Sequence, residues 1–168
     1  MKGSIDLYRG NILDVDCDVI VNAANSSLMG GGGVDGAIHR AAGPELKEAC
    51  RPLAPCPTGE VRVTEGFNIA PRLIFHTVRP VWRGGDQGEA ELLKACYNHC
   101  LEALVKRDLT SIAFPAISTG VYGYPANEAA GIAVNTCRDF AKELDVKITL
   151  TAFDQKMATA LEGALDQP

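Results

Sequence analysis

The chain has 168 residues, 46% of them hydrophobic, and a formal net charge of −5. That length and apolar content predict one domain with a buried core, residues 1–168, and exclude a disordered chain. The acidic balance argues against a general nucleic-acid binder, and no apolar run reaches the roughly 20 residues of a membrane helix. The amino-terminal MKGSIDLYRG enters a strand-like pattern with no apolar leader, which predicts a cytoplasmic protein.

Ile5–Arg9 and Val19–Asn22 read as the first two strands, a hairpin-like region, with the second apolar on both faces and therefore central. Residues 30–33 are four consecutive glycines. They stand between that apolar strand and a helix predicted over Val34–Ala42, which stops at Gly43-Pro44, with a further turn or two over Glu45–Cys50. Four glycines in a row cost conformational entropy. Between a strand and a helix they let backbone N–H groups crowd round an anion, to which the helix N-terminus adds its positive end, so a phosphate is the first candidate ligand.

Glu60–Thr64 and Leu73–Val78 are β-branched runs of strand length, and Glu89–Lys106 has the spacing of an amphipathic helix. Ser111–Ile117 reads as a buried strand, Asn127–Glu143 as a helix, Lys147–Phe153 as a strand and Lys156–Leu165 as a closing helix. Helices alternating with strands predict an α/β fold of three layers with a mostly parallel sheet. Ligands of such sheets bind where the loops leave the C-terminal strand ends. Two small-residue loops fall there, Asn22–Gly33 and Pro115–Pro125 (PAISTGVYGYP), and the pair could clamp an extended diphosphate from opposite sides.

Competing nucleotide motifs fail. No Lys follows Gly33, so there is no GxxxxGK[ST] loop. Gly31, Gly33 and Gly36 formally match GxGxxG, but about 20 residues on, where a dinucleotide site wants an acidic residue after a strand, stands the proline-rich Cys50–Pro57. The six cysteines read as reduced core thiols, and no His, Cys or carboxylate set has metal-site spacing. Arg79, Arg83, Lys106 and Arg107 read as solvated faces. His39, four residues after Asp35, reads as packed or hydrogen-bonded, His76 as a satisfied core histidine, and His99 has no partner in view.

With both loops in place, the chain resembles a macrodomain of the MacroD-type group of ADP-ribose-binding hydrolases. The matching residues are Val21–Asn25, Gly30–His39 (GGGGVDGAIH), Phe75–Val78 and Phe114–Pro125 (FPAISTGVYGYP), spread over nearly the whole chain. The resemblance implies an α/β/α sandwich around a six-stranded mixed sheet with ADP-ribose across the loop edge, and no cofactor. It places Gly31, Gly32, Gly33 and Val34 against the distal ribose and one side of the diphosphate, and Ser118, Thr119, Gly120, Val121 and Tyr122 on the other. Ala23 and Ile12 join the contacting positions. Phe153, with Asp154 beside it, matches the aromatic that packs on adenine, a role that needs only a π-face.

Two departures stand out. The family usually reads GDI in its first loop, with the Asp accepting from the adenine amino group. Here Asn11 occupies that position, and its amide oxygen can accept the same bond without charge assistance. Arg79 stands where the family commonly has glycine before Pro80, and a cation there could face solvent, a phosphate or a modified protein.

From spacing alone Asp35 is a helix-capping carboxylate, and Asn25 is a turn-stabilising residue or a ligand contact. The resemblance assigns both to catalysis, orienting water or a ribose hydroxyl with help from a substrate phosphate. Asn22 reads as tying loop backbone together, and Tyr124 as structural. The expected activity is hydrolysis of mono-ADP-ribose from acidic protein side chains and deacetylation of O-acetyl-ADP-ribose, with ADP-ribosylated proteins as partners. The alternative is a non-catalytic ADP-ribose reader, or a regulator of an RNA-processing partner.

Overall fold

A computed structural model describes residues 2–119 and 123–167. Six strands form one sheet: β1 (Ser4–Arg9), β2 (Val19–Ala24), β3 (Val61–Glu65), β4 (Leu73–Val78), β5 (Ser111–Phe114) and β6 (Lys147–Ala152). Their spatial order is β1-β6-β5-β2-β4-β3, with every pair parallel except β3 against β4. The helices are α1 (Gly33–Ala42), α2 (Pro44–Cys50), α3 (Glu89–Lys106), α4 (Ala126–Ala141) and α5 (Gln155–Asp166). The mixed, mostly parallel sheet between two helical layers is the expected α/β sandwich.

The hairpin-like start is corrected. β1 joins β6 at the sheet edge, while β2 lies between β4 and β5. The burial of the two strands accounts for this: β1 alternates exposed and half-buried residues, whereas all six residues of β2 are buried and need a strand on each side. β5 stops at Phe114 rather than Ile117, because Pro115 has no N–H for the ladder. β6 ends one residue before Phe153.

Strand alternation divides the core. Val19, Val21 and Ala23 of β2 pack with α3, α4 and α5, whereas Ile20 and Ala24 pack with Ile38, Ala42, Leu46 and Cys50 of α1 and α2. Asn22 shares the parity of Ile20, and in β4 His76 stands between Ile74 and Val78 of the same layer. In the parallel register Asn22 lies opposite His76. Two polar residues thus meet at one level of an apolar layer beneath α1.

All six cysteines are free thiols, and five are buried. Burial pushes Cys17, Cys50 and Cys96 up to about 11, which keeps them protonated at neutral pH and poor as nucleophiles. Among the described residues no helix is long and apolar enough to cross a membrane, and no group of His, Cys, Asp or Glu could hold a metal ion.

Candidate functional site

The five mutually parallel strands send their C-terminal ends to one edge, so the segments after β1, β2, β4, β5 and β6 converge there. The loop after β2 is built on glycine. Gly30 and Gly33 take φ of +94° and +59°, and α1 starts from Gly32 at its N-cap. At Gly36 a Cβ would stand 2.3 Å from the Gly31 carbonyl oxygen, so the loop folds directly onto the first turn of α1.

Below this loop lies Asp35, 0% exposed. Asn22 Nδ2 donates to Asp35 Oδ1 at 2.8 Å and lies 3.1 Å from His76 Nδ1. His39, one turn along α1, brings Nε2 to 3.5 Å from the same Oδ1. Burial lowers the pKa of the His39 ring, with Asp35 pulling it up and Lys47 down. Asp35 Oδ2 has no hydrogen bond among the described residues. It faces Gly31, where a Cβ would lie 3.4 Å from Asp35 Oδ2 and 3.6 Å from Asn25 Nδ2. The side-chain-free face of Gly31 therefore looks at both residues expected to act together.

Some expected roles change with this geometry. Among the described residues the Asn22 side chain bonds no loop backbone; its amide holds the Asp35 carboxylate. Asp35 lies fully buried beneath the glycines. Asn25 keeps the turn-stabilising role that spacing allowed, donating to the Gly30 carbonyl at 3.2 Å and accepting from Ser27 Oγ at 2.7 Å. The His99 ring sits 2.6 Å from the Gly59 carbonyl, so it does have a partner.

The loops after β4 and β5 are bound together. Ser118, buried and at φ +69°, donates its hydroxyl to the Pro80 carbonyl at 2.7 Å and accepts at its own carbonyl from Tyr124 N. Leu28, at φ +60° and fully buried, is the matching non-glycine in the loop after β2. Such residues cost about 1–3 kcal/mol each and persist only where the surroundings over-determine them. Thr119 Oγ1 donates to the Ala116 carbonyl. Gly120, Val121 and Tyr122 lie outside the described residues. Ala23, 3% exposed, gives its carbonyl to Arg79 Nη1 at 2.7 Å, so the cation before Pro80 reaches back across the end of β2.

Glu89, unremarked in the sequence beyond opening a helix, organises the loop after β4. Its carboxylate accepts from the backbone N–H groups of Arg83, Gly85 and Gln87 at 2.8, 3.0 and 2.7 Å. This brings Gly85 against Trp82, whose ring lies 4.7 Å from that of Tyr124. Burial opposes the charge on Glu89, but these donors and its own N–H outweigh it and hold the carboxyl down to about 2. A lowered folded-state pKa contributes stability that is present above the ordinary glutamate range and lost as pH falls toward 2. Glu89→Gln is expected to lower the melting temperature at pH 7 and to flatten its dependence on pH below about 4.5. Melts parallel to wild type across that range contradict the assignment.

At the other end of the edge, the β1–β6 register ends at Arg9 opposite Ala152, and Gly10 N bonds the Ala152 carbonyl, so Asn11 and Phe153 follow from neighbouring strand ends. Phe153 is 85% exposed. Ile12 is buried beneath the short turn that Asn11 caps by accepting from Leu13 N at 2.9 Å. Asp154 caps α5, accepting from Met157 N at 2.8 Å.

The Macro domain family model matches residues 21–133, from the middle of β2 into α4. The chain belongs to the Macro domain family. A Macro domain-containing protein of Xanthomonas axonopodis pv. citri is 53% identical over 96% of this chain and 94% of its own length. The O-acetyl-ADP-ribose deacetylase of Citrobacter koseri is 47% identical over 99% of this chain and 98% of its own. The Oceanobacillus iheyensis macrodomain with ADP superposes at a TM-score of 0.93, with 45% identity, covering 98% of this chain and 90% of that one.

In this macrodomain Asn25 and Asp35 come together across Gly31, while Asn11 follows β1, and Phe153 and Asp154 follow β6, at the far end of the same edge. The Asn22–His76 pair beneath Asp35 is the feature that motif reading missed. Its signal was present in the parity of β2 and β4, where one polar residue interrupts each apolar series at the same level.

Proposed function

We propose that this macrodomain binds ADP-ribose and hydrolyses acyl esters of its distal ribose, releasing mono-ADP-ribose from acidic protein side chains and acetate from O-acetyl-ADP-ribose. The observation that carries the reading is the convergence of Asn25 Nδ2 and Asp35 Oδ2 on the bare face of Gly31. Relatives and neighbours support the ligand: one is named for O-acetyl-ADP-ribose and another holds ADP.

Adenine stacks on Phe153 with its amino group toward Asn11 and Ile12, and Asp154 frames the same end. The diphosphate runs between Gly31–Val34 and the loop of Ser118 to Tyr122, where backbone N–H groups and the N-terminus of α1 favour the anion. The distal ribose then meets Ala23, Asn25 and Asp35. Water attacks the acyl carbonyl carbon, the bond to the ribose oxygen breaks, and that oxygen leaves as the hydroxyl with a proton from the water. Asp35 and Asn25 orient the reacting groups, and a substrate phosphate takes part in the proton transfer. Because Asp35 Oδ2 is enclosed, its engagement requires the glycine loop to shift, a motion that residues without side chains permit.

The test is release of ADP-ribose from a carrier mono-ADP-ribosylated on glutamate: the purified chain is expected to release it, and an unchanged carrier contradicts the reading. The complete burial of Asp35 favours one competitor, a reader that binds without turnover. Calorimetric ADP-ribose binding beside an intact carrier is the signature of that alternative. The adenine platform has its own test. Phe153→Ala is expected to weaken ADP-ribose binding by about 1–3 kcal/mol, the worth of one base stack, with no change in melting temperature because the ring is exposed. Unaltered affinity contradicts the stacking role.

A further inference from the structure

Asn22 and His76 are both fully buried in the layer beneath α1. Polar groups in such a layer are costly unless hydrogen-bonded, and here the bonds form a chain with one permitted direction. A carboxylate only accepts, so the Asn22 amide must present Nδ2 to Asp35 Oδ1. The same Nδ2 lies 3.1 Å from His76 Nδ1, which must accept and therefore carries no proton. The ring proton is then on Nε2, 2.9 Å from Thr64 Oγ1, whose own hydrogen goes to the Glu65 carbonyl at 3.1 Å. Asn22 Oδ1 is buried without a hydrogen bond among the described residues. The amide thus forgoes its acceptor so that both donors can be used.

We propose that His76 is a positioning residue: its unprotonated Nδ1 locks the Asn22 amide as a double donor, which grips Asp35 by Oδ1 and leaves Oδ2 directed at Gly31 beside Asn25. This rests on the hydrolase reading. Were the proton on Nδ1, Asn22 would have to turn its oxygen to the ring and hence toward the carboxylate, breaking the grip. Burial, with the neighbouring His39 acting in the same sense, pulls the His76 pKa down to about 3, so the ring is neutral at physiological pH. The groups around it are Asp35 and His39 from α1, Cys50 from α2 with Sγ 3.9 Å from Nε2, and Arg62 and Thr64 from β3. Arg62, the register partner of His76, donates its Nε–H to the Leu53 carbonyl.

Two measurements test this. Nitrogen-15 NMR of the wild-type imidazoles is expected to show one buried ring in the Nε2–H form that does not titrate between pH 5 and 8; an Nδ1–H ring, or one that titrates there, overturns the proposal. Kinetics on O-acetyl-ADP-ribose supply the second. His76→Asn, whose amide oxygen can stand near the position of Nδ1, is expected to keep at least about a third of kcat. His76→Leu is expected to lose about 100-fold in kcat, the scale of a small misplacement, with KM and ADP-ribose affinity within about threefold. A packing role ranks the pair oppositely, since leucine fills an apolar layer better than an asparagine short of partners. Equal kcat in the two variants, or the reverse order, overturns the positioning role. If His76→Leu does not fold, the NMR result on wild type decides. If wild type releases no acetate, the hydrolase reading fails, and the tautomer result still accepts or rejects the locked amide.

Discussion

Asp35→Ala is expected to reduce acetate release from O-acetyl-ADP-ribose by about 100-fold or more while changing ADP-ribose affinity less than tenfold. The asymmetry follows from the geometry. Asp35 is buried behind Gly31 and contributes one oxygen to the region shared with Asn25, whereas in the proposed complex the diphosphate rests on backbone groups that the substitution leaves in place. Loss of orientation at the reacting centre falls on turnover, and effects of this kind reach about 100-fold. Removing the carboxylate also leaves one of the two Asn22 Nδ2 hydrogens without its acceptor, an unsatisfied donor worth about 1–3 kcal/mol, so a lower melting temperature is expected. Asp35→Asn separates the two effects. It keeps the shape and is expected to melt closer to wild type while remaining as inactive as Asp35→Ala. Full turnover in either variant contradicts the role given to the carboxylate.

Gly36→Ala tests the support beneath the loop. The added methyl would stand 2.3 Å from the Gly31 carbonyl oxygen and 3.1 Å from Arg40 Nη1. The Arg40 side chain can move aside, but the carbonyl is backbone, so the glycine loop has to lift from α1. Alanine is the better helix former by about 1 kcal/mol, and overpacking costs about 1–3 kcal/mol, so a net loss of stability is expected. The larger effect falls on binding, because the displaced Gly31 lies over Asn25 and Asp35. Calorimetry is expected to show ADP-ribose affinity at least about tenfold weaker. Gly163→Ala in α5, where a Cβ meets nothing within 4 Å, is the control and is expected to raise the melting temperature slightly. Wild-type affinity in Gly36→Ala contradicts the close approach of loop and helix.

Both loops and most element positions were legible in the sequence because they depend on local chemistry. Glycine runs, proline breaks and apolar periodicity are set within a few residues of chain. The partner of β1 was not legible, since strand pairing depends on which face must be covered rather than on sequence neighbours. The site divides in the same way. Asn25, Asp35 and Phe153 stood out through motif resemblance, whereas the buried pair of Asn22 and His76 is joined by a register between strands 54 residues apart. Glu89 escaped because a carboxylate opening a helix is commonplace; only the fold wraps the loop of Arg83 to Gln87 around it.

The most direct test of the hydrolase assignment is acetate release from O-acetyl-ADP-ribose by the purified chain, with ADP-ribose binding measured by calorimetry on the same preparation. The account predicts catalytic release of acetate and ADP-ribose in equal amounts, lost in Asp35→Ala. Binding of ADP-ribose by wild type with no acetate above the uncatalysed background contradicts it and makes the protein a reader.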